Sequence, residues 1–314
     1  MIRHLGYATA TRSVVSEGGR PGRPGDASPE RIRALIFENL KDLARVLRFN
    51  AEHGIALYRI ASEIIPFGGH PGTTVAWWDE FSSELEQIGQ FARRYGLRVE
   101  MHPGRRCLLN AISPETVALS ILELGWHVKL LDGLQVDASN KLVVRIGGKF
   151  GDQTASIDRF VTAINGLPDA WKRRLVVEND DVGYGVREAL EASERTGLPV
   201  VLDWPDHRVN PGVDRETPRL IGLCFETWKP ADGAPIVHMS RPRDLDGASV
   251  AHADWVEPGE VETLIAQAPE GIAFDCLLEA SQGDRALFDL RERLAIREQG
   301  EMPRRAILAP STSP

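Results

Sequence analysis

A chain of 314 residues exceeds the ~150 residues of a typical domain, but α/β barrels commonly run to ~250 residues or more, so the length does not require two domains. Hydrophobic residues make up 42% and charged residues 26%, and no apolar run approaches the ~20 residues that span a bilayer, which excludes a helical membrane protein. The net charge of −8 argues against nonspecific coating of nucleic acid, although it allows a local basic groove.

Short β-branched runs alternate with stretches of helical period along the whole chain. In chain order, the predicted strands are residues 4–8, 55–60, 98–101, 142–146, 174–178, 199–203, 235–238 and 271–278. The predicted helices between them are residues 29–52, 77–95, 114–132, 153–166, 186–196, 215–226, 260–267 and 284–299. This alternation predicts an α/β fold, a (β/α)8 TIM barrel that forms one domain over residues 1–299, followed by a disordered tail over residues 300–314.

Two predicted loops are longer than a simple connection requires. Residues 13–26 are rich in Gly, Pro, Ser and Arg, and residues 240–258 are polar and begin with basic residues. Both follow strands, so they would lie on the face of a barrel where loops carry function, although the first is equally consistent with a flexible loop tip.

Residues suited to metal ligation fall at the C-terminal end of one predicted strand after another. Burying such groups unpaired is costly, and a divalent cation would supply the missing charge. The five residues at strand ends are His102, Glu178, Asp203, His238 and Glu279. Three residues in the loops that follow could extend the site: Asp206, His207 and His252.

Each of these residues alone has an ordinary structural explanation. His102 or His252 could be a hydrogen-bonded structural histidine, and Glu178 could cap a helix or form a salt bridge. Together they predict a metal site, and mixed nitrogen and oxygen ligands favour Mn, Zn, Fe or Co over Ca. Such a cation would acidify a bound water and polarise a phosphoryl or carbonyl oxygen. Arg105 and Arg106 could bind an anion at the edge of the site, or could be solvated loop residues.

The beginning of the chain lacks a hydrophobic segment of signal-peptide length, which predicts a cytoplasmic protein. Three cysteines without CxxC spacing indicate reduced thiols. No feature of the sequence indicates an obligate protein partner.

The chain contains a series of characteristic stretches, in order LGY, ENLKDL, NAEHGIALYRIASEIIPFGGHP, MHPG, IGGKFGD, RRLVVENDD, LPVVLD, TWKP, HMSRPR, HADWV and LLEA. Through these stretches, from about Leu5 to about Leu290, the sequence resembles the UV damage endonuclease family. This resemblance implies a metal-dependent barrel that recognises distorted double-stranded DNA, such as DNA with pyrimidine dimers. It also implies cleavage on the 5′ side of the lesion with two or three divalent ions, often manganese.

The resemblance assigns a role to individual residues. It implies that the innermost metal is held by four residues: Glu178, Asp203, His238 and Glu279. It also gives His102 as a ligand to a second metal that Glu178 bridges, and His252 as a ligand to a third. Tyr7 and His70 match family positions near the substrate strand.

The chain departs from the family pattern at several of these positions. Arg145 replaces a histidine, Pro205 and Asp206 stand where histidines are expected, and Ile236 replaces a lysine. The residues that probe the damaged bases are replaced by Arg105 and Arg106. Arginine stays protonated and does not ligate metals, so we expect at least one metal but not a full cluster, with Arg145 and Arg105 able to hold an anionic group. Asp206 could still ligate an outer metal with His252.

Two functions follow from these observations. In the first, the chain is a metal-dependent phosphodiesterase that cuts damaged DNA, with Glu178, His102, His70 and Arg145 as catalytic residues, and with Tyr7, Arg105 and Arg106 contacting the DNA. In the second, a single-metal barrel enzyme acts on a small anionic metabolite by isomerisation, elimination, hydrolysis or oxygen-dependent chemistry.

Overall fold

Eight parallel strands in the computed structural model pair in sequence order and close into a barrel, with β8 returning to β1. The strands are β1 Ile2–Ala8, β2 Leu57–Ile60, β3 Arg98–Met101, β4 Lys141–Arg145, β5 Leu175–Glu178, β6 Val200–Asp203, β7 Ile236–Ser240 and β8 Phe274–Glu279. The structure describes residues 1–9, 11–14, 28–104, 106–211, 216–240 and 252–300, with backbone alone from residue 296 onward. The predicted (β/α)8 barrel is confirmed.

Helices cover the outside of the barrel between successive strands. They are α1 Pro29–Glu52, α2 Trp77–Glu80, α3 Ser82–Arg94, α4 Pro114–Gly133, α5 Gln153–Asn165, α6 Asp169–Lys172, α7 Val186–Thr196, α8 Trp204–Val209, α9 Thr217–Glu226, α10 Pro258–Gln267 and α11 Asp284–Gly300. Two short 3₁₀ helices span Ser62–Ile64 and Pro230–Asp232. Helix starts follow local chemistry: the Ser28 hydroxyl accepts from the Arg31 amide, and the Ser113 hydroxyl accepts from the Thr116 amide, each before a proline in the first turn.

The structure differs from the sequence prediction in three α-helical regions, one of which is the short helix α6 Asp169–Lys172, which was not predicted. The single helix predicted over residues 77–95 is divided at Phe81, whose φ of −112° and ψ of 22° interrupt the helix. The segment after β6, predicted as a loop, forms α8 because the Asp203 carboxylate caps its first turn and Pro205 follows at the start. The predicted tail over residues 300–314 lies outside the described residues except for Gly300, which ends α11, and most of the loops 13–26 and 240–258 also lie outside them.

The inside of the barrel is built in layers, because alternate side chains of each strand face inward. A middle apolar layer is formed by Leu57, Val143, Val176, Val201, Ile236 and Leu277, all buried. Near the N-terminal ends of the strands, Arg98 Nη1 donates to Asp275 Oδ2 at 2.8 Å, and Lys141 Nζ donates to Asp232 Oδ1 at 2.6 Å. The apolar layer therefore separates this ionic cluster from the opposite, C-terminal end.

Among the helices described here, none combines the length and apolar character needed to cross a bilayer. The three cysteines are free, as predicted, and Cys224 and Cys276 are buried.

Candidate metal centre

The residue two positions beyond each member of the apolar layer also faces the inside, one level nearer the C-terminal end of the barrel. These positions hold Arg59, Arg145, Glu178, Asp203, His238 and Glu279. Glu178, Asp203 and His238 each offer one ligand atom, and these three atoms lie within 4.8 Å of one another. All three side chains are buried, with exposures of 0%, 1% and 0%. Three separate strands thus bring two carboxylates and an imidazole to one point.

Asp203 is a buried carboxyl group whose negative charge would have little compensation. Its Oδ1 accepts from the Asp206 amide at 2.9 Å, and within the described part of the chain no cationic side chain lies at ion-pairing distance from it. Burial, followed by the charges of Asp206 and Glu178, raises the pKa of Asp203 well above its usual value. A divalent cation between Asp203, Glu178 and His238 would remove this penalty, so the donor set fits a metal ion.

Glu178, in contrast, is surrounded by cationic and hydrogen-bonding groups. Its Oε2 accepts from Arg145 Nε at 2.8 Å and lies 3.1 Å from His102 Nε2, while its Oε1 contacts His238 Nδ1. Burial would raise the pKa of Glu178, but Arg145 and His238 outweigh burial and hold the pKa well below its usual value. Glu178 therefore stays ionised, and it links His102 to His238 through its two oxygens.

Arg145 occupies the space beside Glu178 and His102. It is paired in register with Glu178 across β4 and β5, and its Nη2 lies 3.8 Å from Asp206 Oδ2. Glu178 raises the pKa of Arg145 despite burial, so the guanidinium keeps its charge. Burial and the charge of Glu178 raise the pKa of Asp206 to about 7. A fixed cation thus lies where His102 and Glu178 converge.

Glu279 lies beside the group of three rather than within it. Its Oε1 is 3.8 Å from His238 Nδ1 and forms an ion pair with Arg59, and its Oε2 is 3.2 Å from His252 Nε2. His252 is half-exposed at the barrel mouth. Burial would lower the pKa of His238, but Glu100 and Glu178 raise it to about 10. In the metal-free protein, this imidazole therefore carries a proton that a cation would displace.

Sequence reasoning missed two charged residues of this layer, Arg59 and Glu100. Both are buried, and Arg59 Nε donates to Glu100 Oε1 at 2.6 Å. The signal was present in the sequence, since each is a charged residue inside a short strand, LYRI in β2 and RVEM in β3.

Other predicted site residues lie elsewhere. Tyr7 is not brought to the site: it is 0% exposed among core residues, and its hydroxyl donates to Asn50 Oδ1 at 2.8 Å. His70 is exposed, and its Nδ1 accepts from the Gly72 amide at 3.0 Å. Arg106 is exposed, whereas Arg105 lies outside the described residues.

A cavity of about 450 Å³ opens next to the centre. Its walls come from the loops after β3, β4 and β5 and include His102, Arg145, Gly147, Gly148 and Lys149. A ligand in this cavity would contact Arg145 and His102 directly, at the edge of the buried group.

Comparison with known proteins identifies relatives of this chain. The family described as UV-endonuclease UvdE matches residues 23–307. A UV DNA damage endonuclease of Bacillus velezensis is 30% identical over 85% of this chain and 84% of its own length. One of Clostridium perfringens is 32% identical over 75% of this chain, a region that spans only 58% of that relative. The crystal structure of SacUVDE has a TM-score of 0.86 at 28% identity, covering 94% of this chain and 99% of that one.

Proposed function

Because the chain belongs to the UV-endonuclease UvdE family, we propose that it is a metal-dependent endonuclease that cuts DNA on the 5′ side of UV lesions and other distortions. The observation that carries this proposal is the convergence of Glu178, Asp203 and His238 on one point at the C-terminal end of the barrel. The names of the two bacterial relatives support DNA as the substrate rather than a small metabolite.

Glu178, Asp203 and His238 would hold one divalent cation, with Glu279 as a fourth ligand after a small movement away from Arg59. Manganese suits this mixed nitrogen and oxygen set, as do zinc, iron and cobalt. When bound, the cation would lower the pKa of a water molecule and polarise a phosphoryl oxygen. Asp203 favours binding, because its carboxylate has no cationic partner at ion-pairing distance among the described residues.

Arg145 would provide the second positive charge of the reaction site. Its Nε is used by Glu178, while its remaining N–H groups border the cavity and can donate to a phosphate oxygen. Lys149 adds a further cation to the same cavity wall. We place the backbone of the damaged strand in this cavity, with Arg106 on the loop after β3 near its entrance. Arg105 and His252 remain candidates for outer contacts with DNA or with a further metal.

A defined DNA substrate tests the proposal. A duplex that carries one pyrimidine dimer and a 5′ label is incubated with the purified chain and Mn²⁺, and the length of the product locates the cut. We expect a nick 5′ to the dimer, none in the undamaged duplex, and none with Glu178→Gln. Glu86→Gln, on the exposed face of α3, serves as the matched control and should cut normally. No nick above the Glu178→Gln background would refute the proposal.

A further inference from the structure

Two charged residues lie against the far side of His238, away from Asp203 and Glu178. Arg59 on β2 and Glu100 on β3 are neighbours in the strand register, and their side chains are 9% and 0% exposed. Glu100 is buried inside the barrel, where it cannot contact DNA. Burying a carboxylate and a guanidinium costs several kcal/mol per ion before pairing, so a purely structural role could be filled more favourably by apolar residues.

Glu100 contacts the ring nitrogen of His238 that the proposed metal does not use. Its Oε2 lies 3.1 Å from His238 Nε2, while its Oε1 accepts from Arg59 Nε at 2.6 Å. On the opposite side of the ring, Nδ1 faces Glu178. One carboxylate therefore stands at each nitrogen of this imidazole.

Arg59 holds Glu100 in place and lies against the same imidazole. Its Nη2 is 2.9 Å from Nε2 and 3.2 Å from Nδ1 of His238, within hydrogen-bonding distance of both ring nitrogens. Its Nη1 pairs with Glu279. The guanidinium thus fixes Glu100 and Glu279 relative to His238.

We propose that Glu100 is a positioning residue that fixes the orientation and the tautomer of His238, so that Nδ1 is presented to the catalytic cation. A neutral imidazole has one donor and one acceptor nitrogen. If Nε2–H donates to Glu100, the lone pair of Nδ1 points toward the space between Glu178 and Asp203. A carboxylate behind a histidine ligand also makes the ligand more basic, and its loss typically weakens metal binding by about 10-fold to 100-fold. This inference rests on the proposed metal-dependent function.

Metal affinity provides the first test. Mn²⁺ binding to the metal-free chain is measured by calorimetry for the wild type, Glu100→Gln and Glu100→Ala. We expect Glu100→Ala to weaken Mn²⁺ binding by about 10-fold to 100-fold with unchanged stoichiometry. Glu100→Gln should lose less, because its amide oxygen can still accept from Nε2, although its NH2 group then faces Arg59 Nε and the hydrogen bond to Arg59 is lost. This variant also keeps the shape of the side chain if Glu100→Ala does not fold. Unchanged affinity in both variants would overturn the proposal.

A matched control separates positioning from general stability. Asp232→Asn removes the ion pair with Lys141 at the opposite end of the barrel, so it should reduce stability without changing Mn²⁺ affinity. Equal loss of affinity in Asp232→Asn and Glu100→Gln would mean that Glu100 acts through stability alone and would also overturn the proposal.

The tautomer of His238 provides the second test. In the Zn²⁺-loaded wild type, ¹⁵N NMR should show the proton of His238 on Nε2 and the metal on Nδ1, and Glu100→Ala should allow the reverse arrangement. Zinc on Nε2 in the wild type would contradict the inference. The nuclease proposal fails separately, if a wild type that binds Mn²⁺ normally leaves dimer-containing DNA uncut; a wild type that binds no Mn²⁺ would overturn both.

Discussion

Asp203→Asn is the most informative single substitution, because the structure predicts opposite effects with and without metal. The Asp203 carboxylate is 1% exposed and has the Glu178 carboxylate nearby. The amide of the variant can still accept the hydrogen bond from the Asp206 amide that begins α8, since asparagine is an equally good N-cap. We therefore expect the metal-free variant to be at least as stable as the wild type, while its stabilisation by metal is lost.

The size of the metal effect follows from linkage. A ligand at 100 times its dissociation constant stabilises the folded state by about 2.7 kcal/mol. An unfolding entropy of ~2.1 cal/mol/K per residue gives roughly 0.7 kcal/mol/K for a chain of 314 residues, so the wild-type Tm should rise by about 4 °C. The metal-free Tm of Asp203→Asn should equal or exceed that of the wild type.

Calorimetric unfolding of both proteins, after chelation and then with excess Mn²⁺, measures these four Tm values. Glu86→Gln is the control that should follow the wild type. A rise in Tm on adding Mn²⁺ that is as large in Asp203→Asn as in the wild type would refute the assignment of Asp203 as a ligand. A metal-free variant that is much less stable would refute the argument that its charge is uncompensated.

Three further predictions concern other parts of the barrel. Arg145→His should raise bound Mn²⁺ from about one to about two ions per chain, since imidazole can ligate where guanidinium cannot; elemental analysis showing no increase would contradict this. Tyr7→Phe should lower the free energy of unfolding in urea by about 0.5–1.5 kcal/mol, because it removes a buried hydrogen bond. It should leave the nicking rate of the folded protein unchanged, and a slower rate would indicate that Tyr7 takes part in the site. Asp275→Asn should cost about 3–5 kcal/mol at neutral pH because it leaves Arg98 unpaired. Burial would raise the pKa of Asp275, but its hydrogen bonds and the charge of Arg98 hold this pKa below its usual value. The stability that the ionised carboxylate contributes is therefore present above pH ~4 and is lost on acidification. The difference in urea-unfolding free energy between wild type and Asp275→Asn should shrink at low pH, and a difference that stays constant with pH would contradict the prediction.

The barrel could be predicted from the alternation of strand and helix patterns, and the core of the site from the ligand-type residues near the C-terminal ends of the strands. Glu178 and Asp203 end their strands and His238 lies two residues before the end of β7, so these side chains can lie only near the carboxyl end of the barrel. The charge of Arg145 and its closeness to Glu178 follow from the same rule, through the pairing of β4 with β5.

The alternation of inward and outward side chains along a strand explains why Tyr7 does not reach the site. In β1, Ala8 packs against the interior apolar residues, so the adjacent Tyr7 must face the helices. Arg59 and Glu100 each lie one residue before the last of their strand, so a rule based on strand-end residues does not place them at the site. Arg59 reaches the site through the length of its side chain. A hydrogen-bonded contact such as Glu100 with His238 joins residues 138 positions apart, and no local pattern specifies it.

The buried charges at the C-terminal end of the barrel bear on how many metal ions this chain can hold. The interior layer that holds the site contains four buried carboxylates among the described residues, Glu100, Glu178, Asp203 and Glu279, while Asp206 lies at its edge with a pKa raised to about 7. Two guanidinium groups face them, Arg59 and Arg145, which leaves two negative charges. One divalent cation balances that charge, whereas a second would leave an excess of positive charge in a poorly solvated space, where unpaired charge is costly. Replacing Arg145 by a neutral histidine removes this objection and supplies a ligand, so the count of bound metal ions should depend on this one position.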